Sequence, residues 1–105
     1  MYGLIGRMKA VPGQRDALIA IMLGHGASMA GCLSYVVARD RSDPDGVWVS
    51  EVWDSPESHK ASLELAAVRD AISSAMPLIA GYDTHIETDV AGGIGLAGQG
   101  ADQHA

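Results

Sequence analysis

Two neighbouring β-rich segments, residues 32–41 and 47–53, flank the turn sequence SDPDG at 42–46 and are apolar on both alternating faces. Successive side chains of a strand point to opposite sides of the sheet, so this hairpin has two faces to hide from water. In one segment Leu33, Tyr35 and Val37 alternate with Cys32, Val36 and Ala38; in the other Val47, Val49 and Trp53 alternate with Trp48 and Val52. The chain has 105 residues, enough for one domain but not for a third layer of structure. A fold that accepts this hairpin therefore covers one face and leaves the other to something else.

The flanking pattern supplies the cover. Residues 2–10 alternate, with Leu4, Met8 and Ala10 on one face and Ile5, Arg7 and Lys9 on the other, until Pro12 and Gly13 end the run. Leu18, Ile21, Met22 and His25 recur at the helical spacing i, i+3, i+4, i+7, which predicts a first helix from residue 14 to about residue 29. Ser55, Pro56 and Glu57 give an N-cap, a proline at the first helical position and an early acid. The second helical region, continuous or broken once, runs through Leu63, Leu65, Val68, Ile72 and Met76 to Pro77 and Gly81. Tyr82, Thr84, Ile86, Thr88 and Val90 predict a last strand with those side chains facing one way.

The order strand, helix, strand, strand, helix, strand predicts an α+β, ferredoxin-like split βαβ fold: a four-stranded antiparallel sheet with helices on one face. The uncovered apolar face predicts a homodimer packed sheet against sheet. Residues 91–105, AGGIGLAGQGADQHA, are expected to form a flexible glycine-rich tail, leaving 1–90 as the folded domain.

Seven basic against thirteen acidic residues give a net charge of -6, the wrong sign for gripping a phosphate backbone, so no nucleic-acid partner is expected. Apolar runs are interrupted well before the roughly 18 residues that span a bilayer, so no membrane association is expected either. The single Cys32 supplies neither an internal disulfide nor a paired-cysteine zinc site, which fits a cytoplasmic protein. The four histidines are too far apart in sequence to suggest a metal site. GGIGLAG at 92–98 follows the last strand with no helix after it, so it is not read as a nucleotide loop.

Three stretches carry a resemblance: MKAVPGQ at 8–14, GCLSY at 31–35 and EVWDSPESH at 51–59. In this order and spacing the chain resembles the antibiotic biosynthesis monooxygenase, or quinol monooxygenase-like, branch of the dimeric α/β barrels, over roughly residues 3–90. The resemblance implies a ferredoxin-like homodimer with a pocket between sheet and helices in each subunit. It also implies oxygenation of a hydroquinone, an anthrone or a similar aromatic by molecular oxygen, with no cofactor. Family members often carry histidines at places that here fall on Ser62 and near Ala67, whereas this chain has His59.

An aromatic diol that has lost a proton can itself donate an electron to oxygen, so such a protein needs a base, a hydrogen-bond donor and a dry pocket. The expected catalytic residues are His25, Glu51 and Arg7. His25 on the apolar stripe either projects into a pocket or is a partly buried imidazole bonded to backbone. Glu51 and Trp53 share a strand face, Glu51 as a base or as a tie between strand and helix, Trp53 as a stacking surface or core filler. Arg7 is placed to stabilise an anion. Tyr35, His59 and Ser62 complete the substrate-binding set with Trp53, while His85, beside Asp83, Glu87 and Asp89, is expected at a polar edge or dimer seam. The alternative is a non-catalytic dimeric small-molecule-binding or stress-response protein. Haem degradation ranks last because LELAAVRDAISSAM at 63–76 has no histidine to ligate iron.

Overall fold

A computed structural model describes residues 1–24 and 29–96 of the chain. Strand β1 (Tyr2–Ala10) leads to helix α1 (Arg15–Gly24), and strands β2 (Cys32–Arg39) and β3 (Gly46–Trp53) form the hairpin. Helices α2 (Pro56–Ser62) and α3 (Ala66–Ala75) and a 3-10 turn (Met76–Leu78) then pass to strand β4 (Ile79–Asp89). The strands lie in the order β2-β3-β1-β4 with every neighbouring pair antiparallel, the ferredoxin-like α+β arrangement.

Local chemistry accounts for the elements. Ser55 caps α2 by accepting the Ser58 backbone N–H at 3.1 Å, with Pro56 at the first helical position. The second helical region is broken: α2 ends at Ser62, and Leu65 adopts an extended backbone to start α3. The break takes Leu63 and Leu65 off the buried stripe, leaving both exposed while Val68 is buried. Leu18, Ile19 and Met22 of α1 close on Val47 and Val49 of β3 to make the larger core cluster. A smaller cluster of Met29, Trp53 and Val68 seals the other end.

Three irregularities interrupt the strand pairing, one in β2 and two in β4, the last lying between Gly81 and Ile79. In β2 the pairing jumps from Cys32 opposite Trp53 to Ser34 opposite Val52, which puts Cys32 on the helix side with Tyr35 and Val37, not with Val36 and Ala38 as the plain alternation predicts. In β4 the pairing jumps from Thr84 opposite Arg7 to Tyr82 opposite Met8. The extra residue, Asp83, turns Tyr82 to the helix side, away from Thr84, Ile86 and Thr88 with which it was expected to align. Beyond β4, residues 91–96 form no helix or strand, although Leu96 is buried.

The other face of the sheet carries Val36 and Ile86, 53% and 49% exposed. It also carries an ionic cluster. Arg7 Nε donates to Asp40 Oδ2 at 2.9 Å, Nη2 to Asp43 Oδ2 at 2.8 Å and Nη1 to Asp83, while the guanidinium lies 5.9 Å from the Trp48 ring centroid.

Candidate functional site

On the helix side of β3 the alternation Val47, Val49, Glu51, Trp53 places one carboxylate among apolar side chains. Glu51 Oε1 accepts the Trp53 indole N–H at 3.0 Å, and Trp53 is only 1% exposed, so the carboxylate is fixed by a side chain that cannot move. Tyr35 is the cross-strand partner of Glu51. Its phenol is pushed up to about 12, first by burial and then by the negative charge of Glu51, so it remains a hydrogen-bond donor at neutral pH. Burial, and secondarily Glu51, also raises the Cys32 thiol above its usual range.

Helix α2 supplies the opposite wall. The His59 ring meets Trp53 edge-on with centroids 5.2 Å apart, and lies 6.0 Å from the Tyr2 ring. Ser62, 3% exposed, donates its hydroxyl to the His59 carbonyl at 2.6 Å, so that proton is already committed. Gly31, with φ +83°, lets the start of β2 press against α2: a Cβ there would stand 2.6 Å from Ser58.

These groups border a cavity of about 180 Å³ between sheet and helices, and four of the chain's five methionines, Met8, Met22, Met29 and Met76, line it. Thioether side chains are flexible and polarisable, and they pack well against aromatic rings. A second space shares the Glu51, Tyr35 and His59 wall and continues over Gly6 to His85 on β4.

Of the residues expected from the sequence, Glu51, Trp53, Tyr35, His59 and Ser62 converge on the one cavity. Arg7 does not join them, because its guanidinium is held by three aspartates on the far face. His25 lies outside the described residues. Tyr82 and His85 were not anticipated at the cavity; the β4 bulge that turns Tyr82 inward has no sequence marker, and His85 is surrounded in sequence by acids that suggest an edge. Among the described residues no group of three or more His, Cys, Asp or Glu side chains is placed to hold a metal ion, and no helix is long and apolar enough to cross a membrane.

A single helical layer closing an apolar cavity over a ferredoxin-like sheet, with one oriented carboxylate inside, defines a small α+β protein with a ligand pocket. Its family follows from comparison: residues 1–74 match the model for antibiotic biosynthesis monooxygenase, and the chain belongs to that family. A crystal structure provisionally described as an antibiotic biosynthesis monooxygenase from Chloroflexus aurantiacus J-10-fl is 64% identical, with a TM-score of 0.89 over 91% of this chain and 98% of that one. Similarly described structures share the fold at lower identity. That from Deinococcus radiodurans is 22% identical with a TM-score of 0.74, covering 93% of this chain and 100% of its own. That from Caulobacter crescentus CB15 is 20% identical with a TM-score of 0.78, covering 87% and 90%. No curated protein matches the chain significantly.

Proposed function

We propose that this protein is a cytoplasmic, homodimeric monooxygenase that oxidises a hydroquinone, an anthrone or a similar electron-rich aromatic with molecular oxygen and without a bound cofactor. The observation that carries the reading is Glu51: a carboxylate aimed by Trp53 into a cavity otherwise walled by aromatic, thioether and aliphatic groups. Glu51 accepts the proton of the substrate. The resulting anion passes one electron to oxygen, the radical pair joins as a carbon-bound peroxide, and loss of water leaves the oxidised product. For an anthrone the balance is anthrone plus O₂ giving anthraquinone plus H₂O. Tyr35 donates to the developing oxyanion, and its high phenol pKa keeps that proton in place. His59 presents an imidazole on the cavity wall. Trp53, being buried, acts as a positioning residue for Glu51 rather than as a stacking surface. The exposed Val36 and Ile86 on the far face support a sheet-to-sheet dimer.

The test is oxygen uptake with a panel of reduced naphthoquinones and anthrones, corrected for protein-free autoxidation, alongside light scattering. Uptake in step with substrate loss, from a species of twice 10.9 kDa, is the expected result. Uptake no faster than autoxidation, with ligand still bound, would replace the oxygenase by a non-catalytic binding protein.

A further inference from the structure

The space beside the Glu51 cavity gives the ligand a second polar end. We infer that the protein binds a 1,4-dioxygenated two-ring aromatic across the floor made by Gly6, one oxygen at Glu51 and the other at His85. This rests on the aromatic-ligand reading above and adds the placement of its oxygens.

Four observations carry it. The inner cavity, about 180 Å³, is close to the roughly 150 Å³ apolar cavity that holds a single benzene ring, so a fused second ring must extend beyond it. The adjoining space, about 460 Å³, shares Met8, Met22, Tyr35, Glu51, His59 and Tyr82 with it, and so offers a continuous path. Gly6 opens that path. It stands on the helix side of β1 between Leu4 and Met8, and a Cβ there would meet only the Thr84 carbonyl oxygen at 3.6 Å, an ordinary contact. Its φ is not positive, so neither crowding nor backbone geometry demands glycine. Finally, His85 is the register partner of Gly6 and lines the open end of the same space, and its exposed imidazole makes no side-chain hydrogen bond or ion pair among the described residues. Two strand spacings across and two residues along separate the Cα atoms of Glu51 and His85 by about 12 Å, room for one ring and its two opposite oxygens between the side chains.

The experiment is an anaerobic titration of the full chain, followed by tryptophan fluorescence, with 1,4-dihydroxynaphthalene and with 1-naphthol, which lacks the far oxygen. His85→Leu is expected to weaken 1,4-dihydroxynaphthalene about three- to tenfold, the size of one hydrogen bond, and to change 1-naphthol less than about twofold. His85→Gln, which keeps a donor and an acceptor, recovers part of the loss. Gly6→Ala is expected to weaken both ligands severalfold while the melting temperature holds. Equal changes for the two ligands in His85→Leu, or wild-type affinities in Gly6→Ala, would overturn the placement. Because oxygen is absent, discrimination by His85 without catalytic uptake would sink the oxygenase reading alone, and uptake without discrimination would sink this one alone. Failure of the wild-type protein to bind either ligand rejects both.

Discussion

Replacing Glu51 in two ways separates its chemistry from its structural role. Glutamine keeps an oxygen for the Trp53 indole N–H and removes only the charge and the capacity to take a proton. Alanine removes the acceptor altogether and orphans a donor on a ring that is 1% exposed. An unsatisfied buried donor costs about 1–3 kcal/mol. For a chain of 105 residues, where each kcal/mol moves the midpoint by about 4–8 °C, Glu51→Ala should melt roughly 4–24 °C lower, with water admitted from the cavity setting the low end. Glu51→Gln should hold the melting temperature or raise it slightly, since a partly buried carboxylate gives up solvation that a neutral amide does not. Both variants should lose about 10²–10⁴-fold in oxygen uptake, the usual worth of a positioned base. Circular-dichroism melts and an oxygen electrode read the two effects independently. A glutamine variant retaining more than a tenth of the activity removes Glu51 as the proton acceptor. An alanine variant melting with wild type refutes the argument that the Trp53 hydrogen bond is structural.

Cys32 is the sole cysteine and reports the same charge: Glu51→Gln should move the midpoint of its thiol reactivity to lower pH, and an unmoved midpoint rejects the coupling. The far-face cluster predicts acid sensitivity. Asp40 is held well below the usual carboxylate range, first by the Ser42 backbone N–H and then by Arg7, and Asp43 is lowered by the Asp45 N–H and then by Arg7. Their contribution is therefore fully present above the unfolded carboxylate pKa of about 4 and is lost as pH falls through the folded values. Melting temperature should drop below about pH 4, and Asp40→Asn should flatten that slope; identical profiles for the two proteins would dismiss the cluster as the cause. In the core, Leu18→Ala at 0% exposure should cost about 2–5 kcal/mol, against about 0.5 kcal/mol or less for Met76→Ala at 54% exposure. Equal melting shifts for that pair would refute the assignment of the core to α1 and β3.

Element order, the hairpin, the Ser55 cap and the convergence of Glu51 with Trp53 were legible because each follows from a short-range rule: alternation, turn chemistry or capping. What escaped came from register. A bulge shifts a strand's facing by one residue without altering its composition, so Cys32 and Tyr82 were assigned to the wrong side although the strands holding them were not. A break in the second helical region was allowed by the sequence, but its position between α2 and α3 was not legible, for a related reason. Leu63 and Leu65 fit an apolar stripe as well as Val68 does, and the hydroxyl of Ser62, turned back on the His59 carbonyl, marks the end of α2 only once the fold is known. Arg7 was correctly placed on the face opposite Leu4 and Met8, yet still assigned to catalysis, because nothing local shows that Asp40, Asp43 and Asp83 come from two other parts of the chain to hold it.

The same central strand therefore does two opposite jobs. On the far side of β1, Arg7 draws the β2–β3 turn and β4 together through aspartates from both, binding the sheet across its width. On the near side, Gly6 contributes no side chain between Leu4 and Met8, which leaves a gap bordered by Met22 of α1 and His59 of α2. An open cavity costs stability that collapse of its surroundings would relieve, so it persists only where the surrounding frame resists that collapse. The two features are thus coupled in one testable way: if the ionic cluster keeps the gap open, the double variant Asp40→Asn, Asp43→Asn should bind the aromatic ligand more weakly at neutral pH while its circular dichroism stays that of the wild type. Unchanged ligand affinity in that variant would show that the pocket stays open without the cluster.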